Sequence, residues 1–160
     1  MRHGIAFERD PHRWRDDRTR PLSAHGKARA RRAATGLKRL AARPACLLTS
    51  PLLRTRQTAA ILSESAGWPA ATSCAQLAPG ARPLALLEVL ARGAQTRIAA
   101  VGHEPDLGRL LALLLHGEER LGRYRFKKMG AALVHFEGAA RAGTGTLVWF
   151  APPRLLRAVR

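Results

Sequence analysis

The chain has 160 residues, 46% of them hydrophobic, which fits one α/β domain over residues 1–160 with a core of its own. No apolar run reaches the roughly eighteen residues of a membrane span, and no signal peptide is recognisable, so a cytoplasmic protein is expected. The formal charge of +17 favours anionic ligands, but only four of the 28 basic residues are lysines. That skew indicates a coding bias towards arginine rather than a nucleic-acid partner.

Arg2, His3 and Gly4 follow one another at the start of the chain. The arginine offers a rigid fork of donors to a phosphate or carboxylate, and the histidine can attack phosphorus. The glycine allows the backbone to approach a bound group closely. Three common residues meet by chance, and an Arg-His pair at a chain terminus is more often solvated than catalytic. The functional interpretation therefore depends on partners further along the chain.

A polar, irregular stretch from Ile5 to Leu22 predicts a long loop, and loops of this length are usually functional or disordered. Ser23 is a suitable N-cap for an amphipathic helix over Ala24 to Ala42, which ends before Pro44. The basic face of this helix is the best candidate for a nucleic-acid surface, although a solvated face explains it more simply.

A short apolar run from Ala45 to Thr49 predicts a buried strand. Ser50 is expected to cap a helix that starts with Pro51 and extends to about Ala66. Arg54 would lie near the start of that helix, where the helix dipole favours an anion over a cation. A bound anion would explain the arginine, and so would a solvated position in an arginine-rich chain.

The next elements repeat the alternation of strands and helices. A short edge strand is expected over Ala71 to Ala75, a helix over Leu84 to Ala91 and a buried strand over Arg97 to Val101. His103 follows that strand, and a helix runs from Pro105 to His116. Since ligands gather at the carboxyl ends of strands in open α/β sheets, His3, Arg54 and His103 are expected at the same edge.

Two apolar segments, Ala131 to Phe136 and Thr146 to Phe150, predict an antiparallel hairpin at the sheet edge. A short helix over Arg154 to Val159 would end the chain. Cys46 and Cys74 lack CxxC spacing and are expected to pack in the core under reducing conditions. Of the other histidines, His12 and His25 are expected to be solvated and His135 to lie at the surface, while His116 ends a helix, where the helix dipole favours a cation.

Three motifs occur in order: Arg2-His3-Gly4, the segment Ser50-Pro51-Leu52-Leu53-Arg54-Thr55-Arg56-Gln57-Thr58, and Gly102-His103-Glu104-Pro105. Together they resemble the histidine phosphatase superfamily, with its RHG, S-P-x-x-R-x-x-Q-T and G-H signatures. The segments Arg20-Pro21-Leu22-Ser23 and Phe126-Lys127-Lys128-Met129-Gly130 look like those of the SixA-type phosphohistidine phosphatases. The resemblance covers essentially the whole chain.

The resemblance implies a phosphoglycerate mutase-like, three-layer α/β sandwich, in which a mostly parallel mixed sheet is flanked by helices. It also implies that His3 is the nucleophile and that His103 donates to the phosphoryl group. Arg2 and Arg54 would bind the phosphoryl oxygens, with Gly4 and Arg20 as further substrate-binding residues. No metal or other cofactor is implied, and two arginines would repel a divalent cation.

Two departures from the family pattern shape the expectations. The segment Gln76 to Gly80 has no acidic residue, although larger members carry their general acid in that region. An alkoxide is a poor leaving group without a proton donor, whereas imidazole leaves easily, so a phosphohistidine substrate is favoured. The possible donors or substrate-orienting groups are Glu8, Asp10, Asp16, Asp17 and Glu104.

The second departure is at the start of the chain, where only Met1 precedes the first motif. The first strand is therefore expected to be truncated, either because the start of the chain is assigned too late or because this form has lost most of that strand.

The sequence therefore predicts a metal-independent phosphatase that acts on a phosphohistidine-bearing protein, as in phosphotransfer signalling. A phosphatase for a small or polymeric phosphate metabolite is the alternative on the same fold. A non-catalytic module that binds phosphate or nucleic acid is a different class, favoured by the charge alone. The aromatic content of 5% leaves few stacking platforms for bases, and the oligomeric state is left open.

Overall fold

Three short parallel strands form the first part of the sheet in the computed structural model, which describes residues 1–93, 95–119 and 122–159. Strand β1 (Cys46–Thr49) lies between β2 (Ala71–Ser73) and β3 (Ile98–Val101). The central strand β1 is an apolar run that is buried over Leu47 to Thr49, as suits a strand covered on both faces, whereas all of β2 is exposed. The parallel order with β2 at the edge agrees with the alternation of strands and helices in the sequence.

The second part of the sheet is an antiparallel pair, β4 (Ala131–His135) and β5 (Thr146–Ala151), with a register shift between Leu133 and Val134. The sheet is therefore mixed, as predicted, but it is assembled in two parts rather than as one continuous ladder. The residues in front of Gly4 join the two parts. Arg2 forms a single parallel bridge with Gly102, and its N–H donates to the Gly130 carbonyl at 3.0 Å.

Helices cover both faces of the sheet and give the predicted three layers. On one face lie α1 (Ala24–Leu40), α2 (Leu53–Ala66) and α5 (Pro153–Ala158). On the other face lie α3 (Pro83–Arg92) and α4 (Asp106–His116). None of the described helices is long and apolar enough to cross a membrane.

Small residues allow α1 to pack closely on its neighbours. Its inward face carries Ala30, Ala33 and Ala34, all fully buried. A Cβ on Gly36 would stand 1.7 Å from the backbone carbonyl oxygen of Leu156 in α5, so glycine is required at this crossing. The alanine-rich stripe that predicted an amphipathic helix therefore serves close helix contact more than large apolar burial.

Several boundaries differ from the sequence-based expectations. Helix α1 ends at Leu40, two residues early, while Ser23 caps its start as predicted by accepting from the Gly26 N–H at 3.0 Å. Helix α2 starts at Leu53 with Leu52 as N-cap, so Ser50 is not the cap. The strand predicted to be the most clearly buried, β3, is half-buried over residues 98–100, and residues 1–2 contact it on the side away from β1.

Candidate active site

Two histidines meet where β1 and β3 end. His103 follows β3 directly, and His3 lies beside it because its N–H donates to the Gly102 carbonyl at 3.2 Å. The two imidazole rings have centroids 5.1 Å apart and are tilted by 55°. Both side chains are buried, with 6% of His3 and 4% of His103 exposed. The carboxyl-end rule for parallel strands thus places these two predicted residues together.

The backbone fixes the tautomer of His3. Its Nδ1 lies 2.7 Å from the Gly4 carbonyl oxygen, which can only accept, so Nδ1 carries the hydrogen and Nε2 keeps its lone pair. Gly4 is itself held by the Thr58 hydroxyl, which accepts from its N–H at 3.0 Å. Burial, with the nearby charges of His103, Arg54 and Arg2, lowers the pKa of His3 to about 3. At neutral pH, His3 therefore presents a free nitrogen lone pair.

The second histidine is held by a buried hydroxyl. Nε2 of His103 and Oγ of Ser50 are 2.9 Å apart, and Ser50 is fully buried. Burial and the charges of Arg54 and Arg2 lower the pKa of His103 to about 4. The neutral ring still carries one N–H, so it can donate one hydrogen bond at neutral pH. The task of Ser50 is therefore to hold His103, which the helix-cap interpretation of the sequence missed.

Arg2 is positioned by the backbone carbonyl of Phe126, which is distant in sequence. Its Nη1 donates to the Phe126 carbonyl at 2.8 Å, and the N–H of the same residue donates to Oε1 of Glu104 at 3.0 Å. Burial raises the pKa of the Glu104 carboxyl. Glu104, one of the candidate proton donors, thus binds the N–H of the residue whose carbonyl accepts from Arg2.

Arg54 and Arg20 share a carboxylate. Asp17 Oδ2 lies 3.1 Å from Nη2 of Arg54, and Oδ1 lies 2.7 Å from Nε of Arg20. Nη1 of Arg54 also donates to the Asp17 backbone carbonyl at 2.9 Å. Although burial raises the pKa of Asp17, the hydrogen bond from Arg20 and the charge of Arg54 outweigh it and hold the pKa below its usual value. Asp17 is therefore ionised at neutral pH and has no proton to give.

Each of the two motif arginines keeps one buried donor without a partner among the described residues: Nε of Arg2 and Nε of Arg54. Buried N–H groups are nearly always paired in native proteins, so an orphaned donor calls for an explanation. Their positive charges act on both His3 and His103, which places them around the histidine pair. The arrangement can receive an anion whose oxygens accept from these donors.

The remaining candidates lie elsewhere. Asp10 and Asp16 accept from backbone N–H groups of their own turns, and Glu8 is exposed. The segment predicted to lack a general acid lines a small cleft beside His103, and the Asp106 carboxylate of α4 also lines it. That carboxylate accepts from the Gly80 N–H at 2.9 Å. Across the described residues, no three His, Cys, Asp or Glu side chains are grouped so as to hold a metal ion.

The segment after α4 contacts the backbone of Arg2 and His3. The Met129 N–H lies 3.2 Å from the carbonyl oxygens of both Arg2 and His3, and Met129 adopts φ of 68°, rare for a residue with a side chain. Such strain is kept where the surroundings enforce it. The sequence resemblance singled out the segment from Phe126 to Gly130, but it did not predict that Met129 contacts the backbone of Arg2 and His3.

Comparisons with known proteins show what this chain is similar to. The model of the histidine phosphatase superfamily (branch 1) matches residues 1–78. An uncharacterised protein of Picosynechococcus sp. (strain ATCC 27264) is 35% identical over 144 residues, covering 88% of this chain and 85% of that protein.

Solved structures extend the likeness over the whole fold. The structure of the protein histidine phosphatase SixA complexed with tungstate matches with a TM-score of 0.83 and 27% identity, covering 98% of this chain and 96% of that one. A phosphoserine phosphatase from Entamoeba histolytica, 15% identical with a TM-score of 0.64 over 96% of this chain and 95% of its own, shares the fold. With its ordered motifs, its three layers and these relatives, the chain belongs to the histidine phosphatase superfamily.

Proposed function

We propose that this protein is a phosphatase that removes the phosphoryl group from a phosphohistidine on a partner protein, with His3 as the nucleophile. The observation that carries the proposal is the pair of buried, unpartnered Nε donors of Arg2 and Arg54 around a neutral His3. Donors fixed in advance around a nucleophile are what phosphoryl transfer requires, since the reaction depends on positioning and electrostatic stabilisation.

The chemistry follows from the tautomer of His3. Its Nε2 lone pair attacks phosphorus in line, a new N–P bond forms, and the N–P bond to the substrate imidazole breaks. The departing imidazole keeps the electron pair and takes a proton from solvent. Arg2, Arg54 and the N–H of His103 stabilise the charge on the phosphoryl oxygens. Water then attacks phospho-His3, releasing phosphate and restoring the free histidine.

The leaving group argues for a phosphoramidate. The segment Gln76 to Gly80 offers no carboxyl, and Asp17 is ionised, so an alcohol would have to leave without help from either. Imidazole, with a pKa near 6.5, needs little or no proton donation. The 27% identity and matching fold of the protein histidine phosphatase SixA support the same substrate class for this chain.

A phosphomonoesterase acting on a small metabolite is the second candidate. It is favoured by the Asp106 carboxylate, which lines the cleft beside His103 and could supply a proton to an alkoxide. In that case Asp106→Asn would lower hydrolysis of phosphomonoesters at least tenfold. Under the phosphohistidine proposal, the same variant leaves dephosphorylation of a phosphohistidine protein within a few-fold of wild type.

The test compares wild type with His3→Ala on a phosphohistidine-bearing protein, with rapid quenching and mass spectrometry of the enzyme. His12→Ala is the matched control, since His12 lies exposed in the Ile5-to-Leu22 loop. Phosphate release and an adduct of one phosphoryl group on His3 are expected in wild type and in the control, and neither in His3→Ala. Binding of phosphate without release or adduct would overturn the proposal in favour of a non-catalytic module.

A further inference from the structure

We propose that the segment of residues 9–18, here called the basic rim, is a docking surface for an acidic face of the phosphohistidine-bearing partner protein. The inference rests on the proposed function and adds the kind of surface that the partner presents. It is carried by the local structure of the rim, its unpaired charges, an ordered arginine on aromatic rings and its attachment to the active-site arginines.

The basic rim is locally ordered by its own acidic residues. Oδ1 of Asp10 accepts from the N–H groups of His12 and Arg13 at 2.9 and 3.2 Å, and the Asp10 carbonyl accepts from the Trp14 N–H at 2.8 Å. Oδ1 of Asp16 accepts from the Arg18 N–H at 2.8 Å. These side-chain caps hold the rim in turns, the last of which starts a short 3-10 helix over Asp17–Thr19. They also tie two of its three carboxylates to backbone groups.

The arginines of the rim project their charge into solvent. Arg9, Arg13, Arg15 and Arg18 are all exposed, and of these four only Arg9 has an ion pair within the described part of the chain, with Asp17 at 3.7 Å. Under the proposed function, Arg2 and Arg54 already bind the single phosphoryl group. The charge of the rim therefore exceeds what the reacting group needs, and it can steer an acidic partner towards the site.

Arg13 is held on an aromatic platform. Its guanidinium carbon lies 4.7 Å from the ring centroid of Phe7 and 4.6 Å from that of Trp14, and the two rings are 5.4 Å apart. Arginine and tryptophan are enriched among the residues that dominate protein interfaces, and an ordered guanidinium loses less entropy on binding. Because Arg13 already covers these rings, they are not free to stack on nucleic-acid bases, which favours an acidic protein face.

The rim is attached directly to the predicted phosphate-binding residues. Oδ1 of Asp17 accepts from Nε of Arg20 at 2.7 Å, and the Asp17 carbonyl accepts from Nη1 of Arg54 at 2.9 Å. A protein seated on the rim therefore lies beside the arginines that would receive its phosphoryl group. This geometry joins recognition of the partner to placement of the phosphohistidine.

The test reverses the charge of the rim with the triple variant Arg13→Glu, Arg15→Glu, Arg18→Glu. The matched control is Lys38→Glu, Arg39→Glu, Arg43→Glu, which changes three exposed cations at the end of α1, near the amino end of β1 and away from the site. Each enzyme is assayed on a phosphohistidine protein with acidic residues around the modified histidine, and on phosphoramidate as a small substrate. Both are measured at low and physiological salt.

For the rim variant we expect KM for the protein substrate to rise at least tenfold, with kcat and the hydrolysis of phosphoramidate within a factor of two of wild type. Salt should raise KM for the protein substrate in wild type and in the control, and much less in the rim variant. An unchanged KM in the rim variant, or an equal rise in the control, overturns the inference. So does a loss that extends equally to phosphoramidate. If wild type hydrolyses neither substrate, it is the proposed function that has failed.

Discussion

Replacing Asp17 tests whether the carboxylate between Arg20 and Arg54 positions them or competes with the substrate. The Asp17 side chain is 39% exposed, whereas the Arg54 side chain is only 4% exposed. Removal of the Asp17 carboxylate therefore leaves the buried guanidinium of Arg54 without its counterion. Both Nη atoms of Arg54 bind Asp17, which leaves the Nε edge for an incoming anion. We therefore expect Asp17→Ala to let Arg54 turn away from the productive orientation.

The size of the effect follows from the bonds that are lost. Two hydrogen bonds between charged groups contribute about 1.5 to 3 kcal/mol each, and the partial exposure of the carboxylate reduces this. A loss of about 2 kcal/mol in transition-state stabilisation corresponds to a roughly 30-fold fall in kcat/KM. Asp17→Asn keeps one acceptor oxygen and should lie between Asp17→Ala and wild type.

Steady-state hydrolysis of phosphoramidate gives kcat/KM, and isothermal calorimetry gives the Kd of inorganic phosphate. Asp16→Asn is the control, because it removes the same charge one residue away, where the carboxylate is exposed and binds only the backbone of its own turn. If Asp17→Asn bound phosphate more tightly and turned over faster than wild type, the carboxylate would be a competing anion, and the positioning argument would be refuted.

Three further predictions concern acidity, packing and the support of Arg2. Burial lowers the pKa of His3 to about 3 and that of His103 to about 4, so below about pH 6.5 the unfolded chain binds more protons than the folded chain. Urea unfolding should therefore give a free energy of unfolding that is lower at pH 4.5 than at pH 7.5, by on the order of 2 kcal/mol per histidine. The total decrease should be smaller in His103→Asn. Gly36→Ala should lower the free energy of unfolding by roughly 2 to 3 kcal/mol, because the added Cβ would overlap a backbone carbonyl of α5. The control Gly138→Ala places its Cβ in open space and should change the free energy of unfolding by less than about 0.5 kcal/mol. Glu104→Ala should reduce kcat/KM about tenfold by freeing the backbone of Phe126, whose carbonyl orients Arg2, and Glu104→Gln, which keeps an acceptor oxygen, should restore most of the activity. Equal losses in both variants would point to the charge of Glu104 instead.

The order of elements and the meeting of His3 with His103 could be predicted from the sequence, because both depend on local patterns. Apolar runs mark the strands, Ser23 marks the start of α1, and residues that follow parallel strands come together at one edge. The division of the sheet into two parts could not be predicted, since it depends on pairing between the ends of β3 and β4 and residues 1–3.

The supporting residues were harder to identify because their partners are distant in sequence. Asp17 lies in a stretch without periodicity, and its contact with Arg54 spans 37 residues. Glu104 acts through the backbone of Phe126, 22 residues on, so no side-chain pattern records it. Ser50 has the residue type and the position of a helix cap, and only the tertiary structure shows that its hydroxyl serves His103.

The position of His3 between the two parts of the sheet has a consequence for how activity is lost under stress. His3 is held by backbone hydrogen bonds to Gly102 on one side and to Met129 on the other, so separation of the two parts of the sheet displaces His3 while each part can keep its own hydrogen bonds. Local opening of this kind costs less free energy than global unfolding. In a denaturant series, enzymatic activity should therefore decline before the far-UV circular dichroism signal, which makes turnover a sensitive reporter of opening between β3 and β4.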